Sequence, residues 1–280
     1  AKNITDITFM GVPKTIDNDL AVTDHTPGYG SAAKYIASTM KEIIRDALVQ
    51  PIKIVNIIEI MGRNAGWLTA AAALAKGDDC EGADLIYLPE TVFDINKFVA
   101  KVQEIQKTKK QIVVAVSEGV KTADGKYVCE SASSNMLVDS FGHKQLSGTA
   151  TALANVISNE IGCKTRAIEF STIQRCASHI ASLTDVNEAF IVGGIAVKAA
   201  FDGETGKVGI FQRLSNKPYL MGTSIYDVNA IANVEKTVPQ EWIINDGTGV
   251  SQEALDYMRP LIQGEIYPYM VDGLPRHIKL

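Results

Sequence analysis

Apolar residues follow two rhythms along this chain, short unbroken blocks and longer stretches spaced by three and four, and the two alternate. Lys53 to Ile60 (KIVNIIEI) and Gln111 to Val116 (QIVVAV) are apolar on both faces, as parallel strands covered by helices are. Asp84 to Pro89 and Arg166 to Phe170 read as shorter strands, Val208 to Leu214 as another, and Ile4 to Met10 as a first strand punctuated by Gly11 and Pro13. A helix is predicted from Ser31 to about Val49, where Ile36, Met40, Ile43, Ile44, Ala47 and Leu48 recur at helical spacing until Pro51 stops them. An alanine-rich helix ends near Lys76, and an amphipathic one spans Ile95 to Lys107. Others span Leu146 to Gly162, with Ser147 as N-cap, and Asp185 to Phe201, and a last one opens at Val250-Ser251 and runs to about Gln263. Thr122 to Ser134 is polar and turn-like, and Pro268 to Leu280 is a turn-rich tail. Strand–helix alternation of this kind predicts an α/β fold with a parallel sheet and right-handed crossovers.

Composition narrows the class. The 280 residues are 46% hydrophobic and 21% charged, ample for a packed core. A net charge of -5 gives no basic excess for nucleic acid or an anionic membrane surface, so an anionic ligand has to be met by local arginines. The four cysteines, Cys80, Cys129, Cys163 and Cys176, lack metal-site spacing and read as reduced cytoplasmic thiols. No apolar run is long enough to span a bilayer.

Polar residues gather where predicted strands end: Thr15 to Asp19, Met61 to Arg63, Glu118, and Thr172 to Arg175. Strand ends are where open α/β sheets bind ligands. Taken singly, each group has a plain structural explanation. Asp17, Asn18 and Asp19 can form a turn and cap a helix, and Arg166 can be half of a surface ion pair.

PKTIDND at Pro13 to Asp19, MGRNAG at Met61 to Gly66 and IQR at Ile173 to Arg175 together resemble the phosphofructokinase family, in order and over essentially the whole chain. The resemblance implies two doubly wound three-layer αβα domains, with the N-terminal, donor-binding one only partly present. Residues 1–27 would be a remnant of that domain carrying the catalytic loop, 28–174 the fructose 6-phosphate-binding domain, and 175–280 the return to the donor domain and a C-terminal wrap. It implies phosphoryl transfer to the 1-hydroxyl of fructose 6-phosphate, giving fructose 1,6-bisphosphate in glycolysis. Asp17 would be the general base, in a reaction whose loose transition state asks more of positioning than of basicity. Thr15 would hydrogen-bond the moving phosphoryl group, and Asp19 would orient the loop or a magnesium shell. Arg63 would offset charge on the transferring group. Met61, Gly62 and Glu118 would hold the sugar, Thr172 and Arg175 its phosphate, and Arg166 would reach the site of a neighbouring subunit. The partners implied are fructose 6-phosphate, pyrophosphate or ATP, Mg2+, and further copies of the chain in a dimer or tetramer.

Lys14 bears on the donor, because an ammonium there can neutralise the leaving phosphate where a nucleotide would otherwise extend; it favours pyrophosphate over ATP. Three departures stand against the pattern. Thr172 replaces a histidine common in the family, and an arginine expected before the strand leading to Met61 falls on Ile54. The glycine-rich phosphate turn and the magnesium-binding G-G-D-G segment, expected ahead of TIDND, are missing, and the glycine pairs at Gly193, Gly203 and Gly247 do not replace them. The chain is therefore expected to lack the donor half of its site, and with it the segment supplying the magnesium ligand, and to be inactive alone. ATP as donor and a non-catalytic sugar-phosphate-binding module are the alternative readings.

Overall fold

A computed structural model describes residues 7–131 and 146–279. The chain divides into two compact units. The first comprises Ala1–Tyr35, Arg175–Lys236 and Asp256–Leu280, and the second Ile36–Gln174 and Thr237–Leu255.

The first unit begins with β1 (Met10–Gly11), all that forms of the first predicted strand among the described residues; Ile4 to Asp6 lie outside them. The helix α1 (Tyr29–Leu48) starts in this unit and ends in the second.

In the second unit, β2 (Ile54–Ile60), β3 (Leu85–Tyr87), β4 (Gln111–Ser117) and β5 (Lys164–Glu169) form a wholly parallel sheet in the order β3-β4-β2-β5. Between them run α2 (Trp67–Ala70, continued as a 3-10 turn over Ala71–Ala75), α3 (Ile95–Ile105) and α4 (Thr149–Ile161). Every residue of β2 is buried, as its two-faced apolar spelling requires. On one face Val55, Ile57, Ile112, Val114 and Val116 pack with Phe98 and Val102 of α3 and Leu153 and Ile157 of α4. Each such side chain contributes about 1.5–3 kcal/mol relative to exposure. Right-handed crossovers put α2 on the opposite face, because the chain leaves β2 towards β3 but leaves β4 towards β5. The connections after β2 and β4, adjacent strands, therefore diverge to opposite faces and open a crevice at their C-terminal ends.

In the first unit, β6 (Lys207–Asn216) pairs parallel with β1 and antiparallel with β7 (Tyr219–Asp227). The helix α5 (Leu183–Phe201) lies along this sheet, its Ser182 cap accepting from the Asp185 backbone N–H, while Phe190 and Phe201 stay exposed. Asp185 in turn accepts from the backbone N–H groups of Gly28 and Ser31 at 2.8 and 3.0 Å, capping α1 from across the fold.

One strand is added to the expected set and one helix cap is corrected. The strand β7 is not foreseen, because YLMGTSIYD mixes small and polar residues and is only half-buried along most of its length. Ser147 is not the cap of α4; Gly148, left-handed at φ 98, takes that place with no side-chain cap, and the Glu59 carboxylate accepts from the Ala150 N–H at 2.8 Å. Residues Thr237–Leu255, holding β8 (Ile243–Ile244) and β9 (Gly249–Val250), pack with the second unit through Ile86 N–H to Thr248 O at 3.0 Å and a Trp67–Trp242 edge contact. The last helix, α6 (Gln252–Met258), gives way to a 3-10 turn over Arg259–Ile262.

Candidate active site

Each unit carries part of the expected constellation, and each builds its part differently. In the second unit the residues after β2 and β4 meet in the crevice. The Gly62 N–H donates to Glu118 Oε1 at 3.3 Å, the Met61 N–H to Gln174 Oε1 at 3.3 Å, and Ser117 Oγ to the Gly62 carbonyl at 2.5 Å. Two glycines permit this closeness. Gly62 has φ 138, and a Cβ there would lie 2.6 Å from the Ala65 carbonyl oxygen; a Cβ on Gly119 would lie 1.9 Å from that of Arg63. Met61, Gly62, Arg63 and Glu118 are thus gathered by backbone contact, with the Glu118 carboxylate tied to the loop after β2.

One strand position earlier, the buried Glu59 is pushed up to about 7. Burial raises it first, the Glu169 and Glu118 carboxylates raise it further, and the Ala150 and Gly148 N–H groups only partly oppose them. Thr172 is exposed on a 3-10 turn over Ser171–Arg175, whose Gln174 is the residue that reaches Met61. Arg175, also exposed, begins the next stretch of the first unit. Arg166, on the edge strand β5, pairs with Asp46 at 2.9 Å. Both partners are largely exposed, so the pair contributes about 0–1 kcal/mol.

In the first unit, Thr15 Oγ1 donates to Asp17 Oδ2 at 2.9 Å and accepts from the Asp17 N–H at 3.2 Å, fixing hydroxyl and carboxylate side by side. Lys14 stands exposed beside them. The Asp19 carboxyl is held above its ordinary value by burial and by the neighbouring Asp17. The backbone here is strained: Thr15 has φ 148 and Val22 φ 70, conformations that cost a β-branched residue ~1–3 kcal/mol each, while Asn18 at φ 56 tolerates its own more easily.

Such strain persists only where the surroundings impose it. Asn18, fully buried, accepts from the Thr26 N–H at 3.1 Å and donates to Tyr257 Oη at 2.9 Å, and Tyr257 Oη donates to the Asp24 carbonyl at 2.6 Å. Lys236 Nζ donates to the Asp24 and Thr23 carbonyls at 2.7 and 3.2 Å and to Asn18 Oδ1 at 3.4 Å. Beneath them lies a buried ionic chain. Arg213 forks onto Asp24 through Nε and Nη2 at 3.1 and 2.9 Å. His25, stacked on Phe211 with ring centroids 4.5 Å apart, places its ring nitrogens 2.9 Å from Asp24 and 2.7 Å from Glu188. A carboxylate at each ring nitrogen favours the protonated ring, in which both nitrogens donate. Burial opposes that charge, but the two carboxylates outweigh it and hold the His25 pKa above its usual value. Asp24, penalised by burial, is held low by His25 and Arg213. Glu188, Arg213, Lys236 and Tyr257 lie outside every motif in the sequence; their only mark is the fold itself.

The comparisons with known proteins can now be set beside this geometry. Residues 1–177 match the family described as Phosphofructokinase. The chain belongs to the phosphofructokinase family. The protein of Halomonas elongata named pyrophosphate--fructose 6-phosphate 1-phosphotransferase is 40% identical over 276 residues, 98% of this chain and 65% of its own. Its namesake in Xanthomonas campestris is 42% identical over 274 residues, 97% of this chain and 65% of its own. The crystal structure of a pyrophosphate-dependent phosphofructokinase from Nitrosospira multiformis matches with a TM-score of 0.86 at 38% identity, covering 97% of this chain and 64% of that one. The chain thus spans about 65% of the length of the curated phosphofructokinase relatives it matches.

Proposed function

We propose that the protein containing this chain transfers a phosphoryl group from pyrophosphate to the 1-hydroxyl of fructose 6-phosphate, giving fructose 1,6-bisphosphate and inorganic phosphate. The observation that carries this reading is the Thr15–Asp17 pair at 2.9 Å with Lys14 alongside, in a chain 40% identical to a transferase named for that reaction. Asp17 accepts the hydroxyl proton as the sugar oxygen attacks phosphorus. The bond from that phosphorus to the bridging oxygen breaks, and inorganic phosphate leaves beside the Lys14 ammonium. Thr15 and Arg63 supply hydrogen bond and charge to the group in transfer, where such donors lower a barrier by ~3–4 kcal/mol each. Met61, Gly62 and Glu118 receive the sugar, and Thr172 and Arg175 its phosphate.

Magnesium fits the loop only as a partner of the substrate. Among the described residues no cluster of three or more acidic, histidine or cysteine side chains could hold a metal alone. Asp19, held above its ordinary value by burial and then by Asp17, would orient the water shell of a Mg2+ carried in on phosphate oxygens, leaving Asp17 to accept the proton. Bound there, the ion would neutralise phosphate charge. Arg166, whose pair with Asp46 is weak, is free in energy terms to be recruited by a second subunit of an oligomer. The four cysteines carry free thiols, which suits a reducing, cytoplasmic setting.

Initial rates of the full-length protein with fructose 6-phosphate and either pyrophosphate or ATP test the reading. Pyrophosphate should be favoured in kcat/KM by on the order of 10²-fold. Faster turnover with ATP overturns the choice of donor, and no turnover with either overturns the reaction. The chain by itself, without the rest of its relatives' length, is expected to bind fructose 6-phosphate weakly and transfer nothing.

A further inference from the structure

Between Thr15 and Asp24 the chain holds three non-glycine residues at positive φ, Thr15, Asn18 and Val22, and the middle one, Asn18, is met by Tyr257 and Lys236 from distant sequence. Lys236 is the member of that set with the most attachments. Its backbone N–H donates to the Asp19 carbonyl at 2.7 Å, Glu235 bridges antiparallel to Leu20, and its ammonium reaches Asn18, Thr23 and Asp24. One residue thus holds the middle of the segment, at Asn18 and Asp19, and its C-terminal end, at Thr23 and Asp24. The ammonium is faced by the carboxylates of Asp24 and Asp19 and by the Arg213 guanidinium, and its three acceptors match the three donors of an ammonium.

We propose that Lys236 is a positioning residue for phosphoryl transfer, one that fixes the Thr15–Asp19 loop in its reactive conformation without touching substrate. The inference rests on the function proposed above. A side chain that only stabilised the fold would bury apolar atoms or cap a helix. The Lys236 ammonium instead directs hydrogen bonds to Asn18, Thr23 and Asp24, in the strained segment that carries Asp17. Releasing it leaves Asn18 Oδ1 and the Thr23 and Asp24 carbonyls without that donor, and the span from Asn18 to Asp24, next to Asp17, freer to relax. The 2.9 Å approach of Thr15 Oγ1 to Asp17 is the first geometry such relaxation removes.

The test is Lys236→Met in the full-length protein, read by steady-state kinetics and by amide hydrogen exchange. The kcat should fall on the order of 10²-fold, as for a misplaced catalytic group, with KM for fructose 6-phosphate within about threefold. Exchange across residues 15–24 should quicken at least ~10-fold while β2 and β4 keep their protection. Loop exchange that stays at the wild-type rate overturns the proposal, and so does a kcat within about threefold of wild type. If Lys236→Met does not fold, Asn18→Ala, which removes the central amide, is read by the same two criteria. Wild-type protein that transfers nothing from pyrophosphate defeats the proposed function instead, and the exchange of the loop still decides for or against the clamp.

Discussion

The two units hold chemically similar loops by opposite means. In the second unit, Met61, Gly62 and Glu118 follow directly on two adjacent buried strands, and a dry parallel core fixes them through backbone contact. In the first, the described residues form a three-stranded sheet with a small apolar cluster around Val208, Ile210 and Ile231, and the loop from Thr15 to Asp24 is held by charges and hydrogen bonds arriving from Glu188, Arg213, Lys236 and Tyr257. A site on strand ends inherits its precision from packing. A site on a long polar loop must be given its precision residue by residue.

The sharpest way to break the contrast is at the proposed base. Asp17→Ala in the full-length protein should lower kcat by on the order of 10³-fold and leave KM for fructose 6-phosphate within a few-fold, measured by coupled steady-state assay. Near-normal turnover would remove Asp17 from the chemistry. In the second unit the largest effect should come from the backbone: Gly119→Ala puts a methyl group 1.9 Å from the Arg63 carbonyl oxygen. It should cost about 3 kcal/mol in urea unfolding, because the clash is with main chain that cannot swing aside.

Glu59 gives the second unit a pH dependence of its own. Its folded value of about 7 lies above the unfolded 4.5, so the folded state holds the proton more tightly. The stability this contributes is fully present below about 4.5 and is lost as pH rises through about 7, amounting to up to about 3 kcal/mol. Glu59→Gln should flatten that slope between pH 5 and 8; a slope that persists in the variant assigns it elsewhere. The smallest effect should be at Arg166→Ala, which costs no more than about 1 kcal/mol of stability. A kcat/KM loss beyond about tenfold in that variant would show that Arg166 works in the assembled site and not in its pair with Asp46.

This difference also explains what could be read from the chain. β2 and β4 were legible to within a residue because a covered parallel strand is an unbroken apolar run, and the chemistry of Met61 to Arg63 and Glu118 adjoins those runs. Ser147 misled because a cap is decided by geometry: Gly148 turns left-handed, and the carboxylate serving the helix comes from Glu59, 91 positions away in the chain. β7 escaped notice because its half-exposed faces give no clean alternation, and its link to β6 lacks an Asn-Gly or Asp-Gly signal. TIDND was legible as a spelling, but its supports were not. His25 meets Glu188 across 163 positions, and Asn18 meets Tyr257 across 239. No local pattern encodes such pairs.

Lys14 occupies the exposed shoulder of a loop whose interior, from Asn18 to Asp24, is committed to buried partners. A substitution at Lys14 therefore alters what the loop presents without disturbing what holds it. Presentation and support are thus separable in this loop: the exposed shoulder can be rewritten by one substitution while every buried partner from Asn18 to Asp24 keeps its contact.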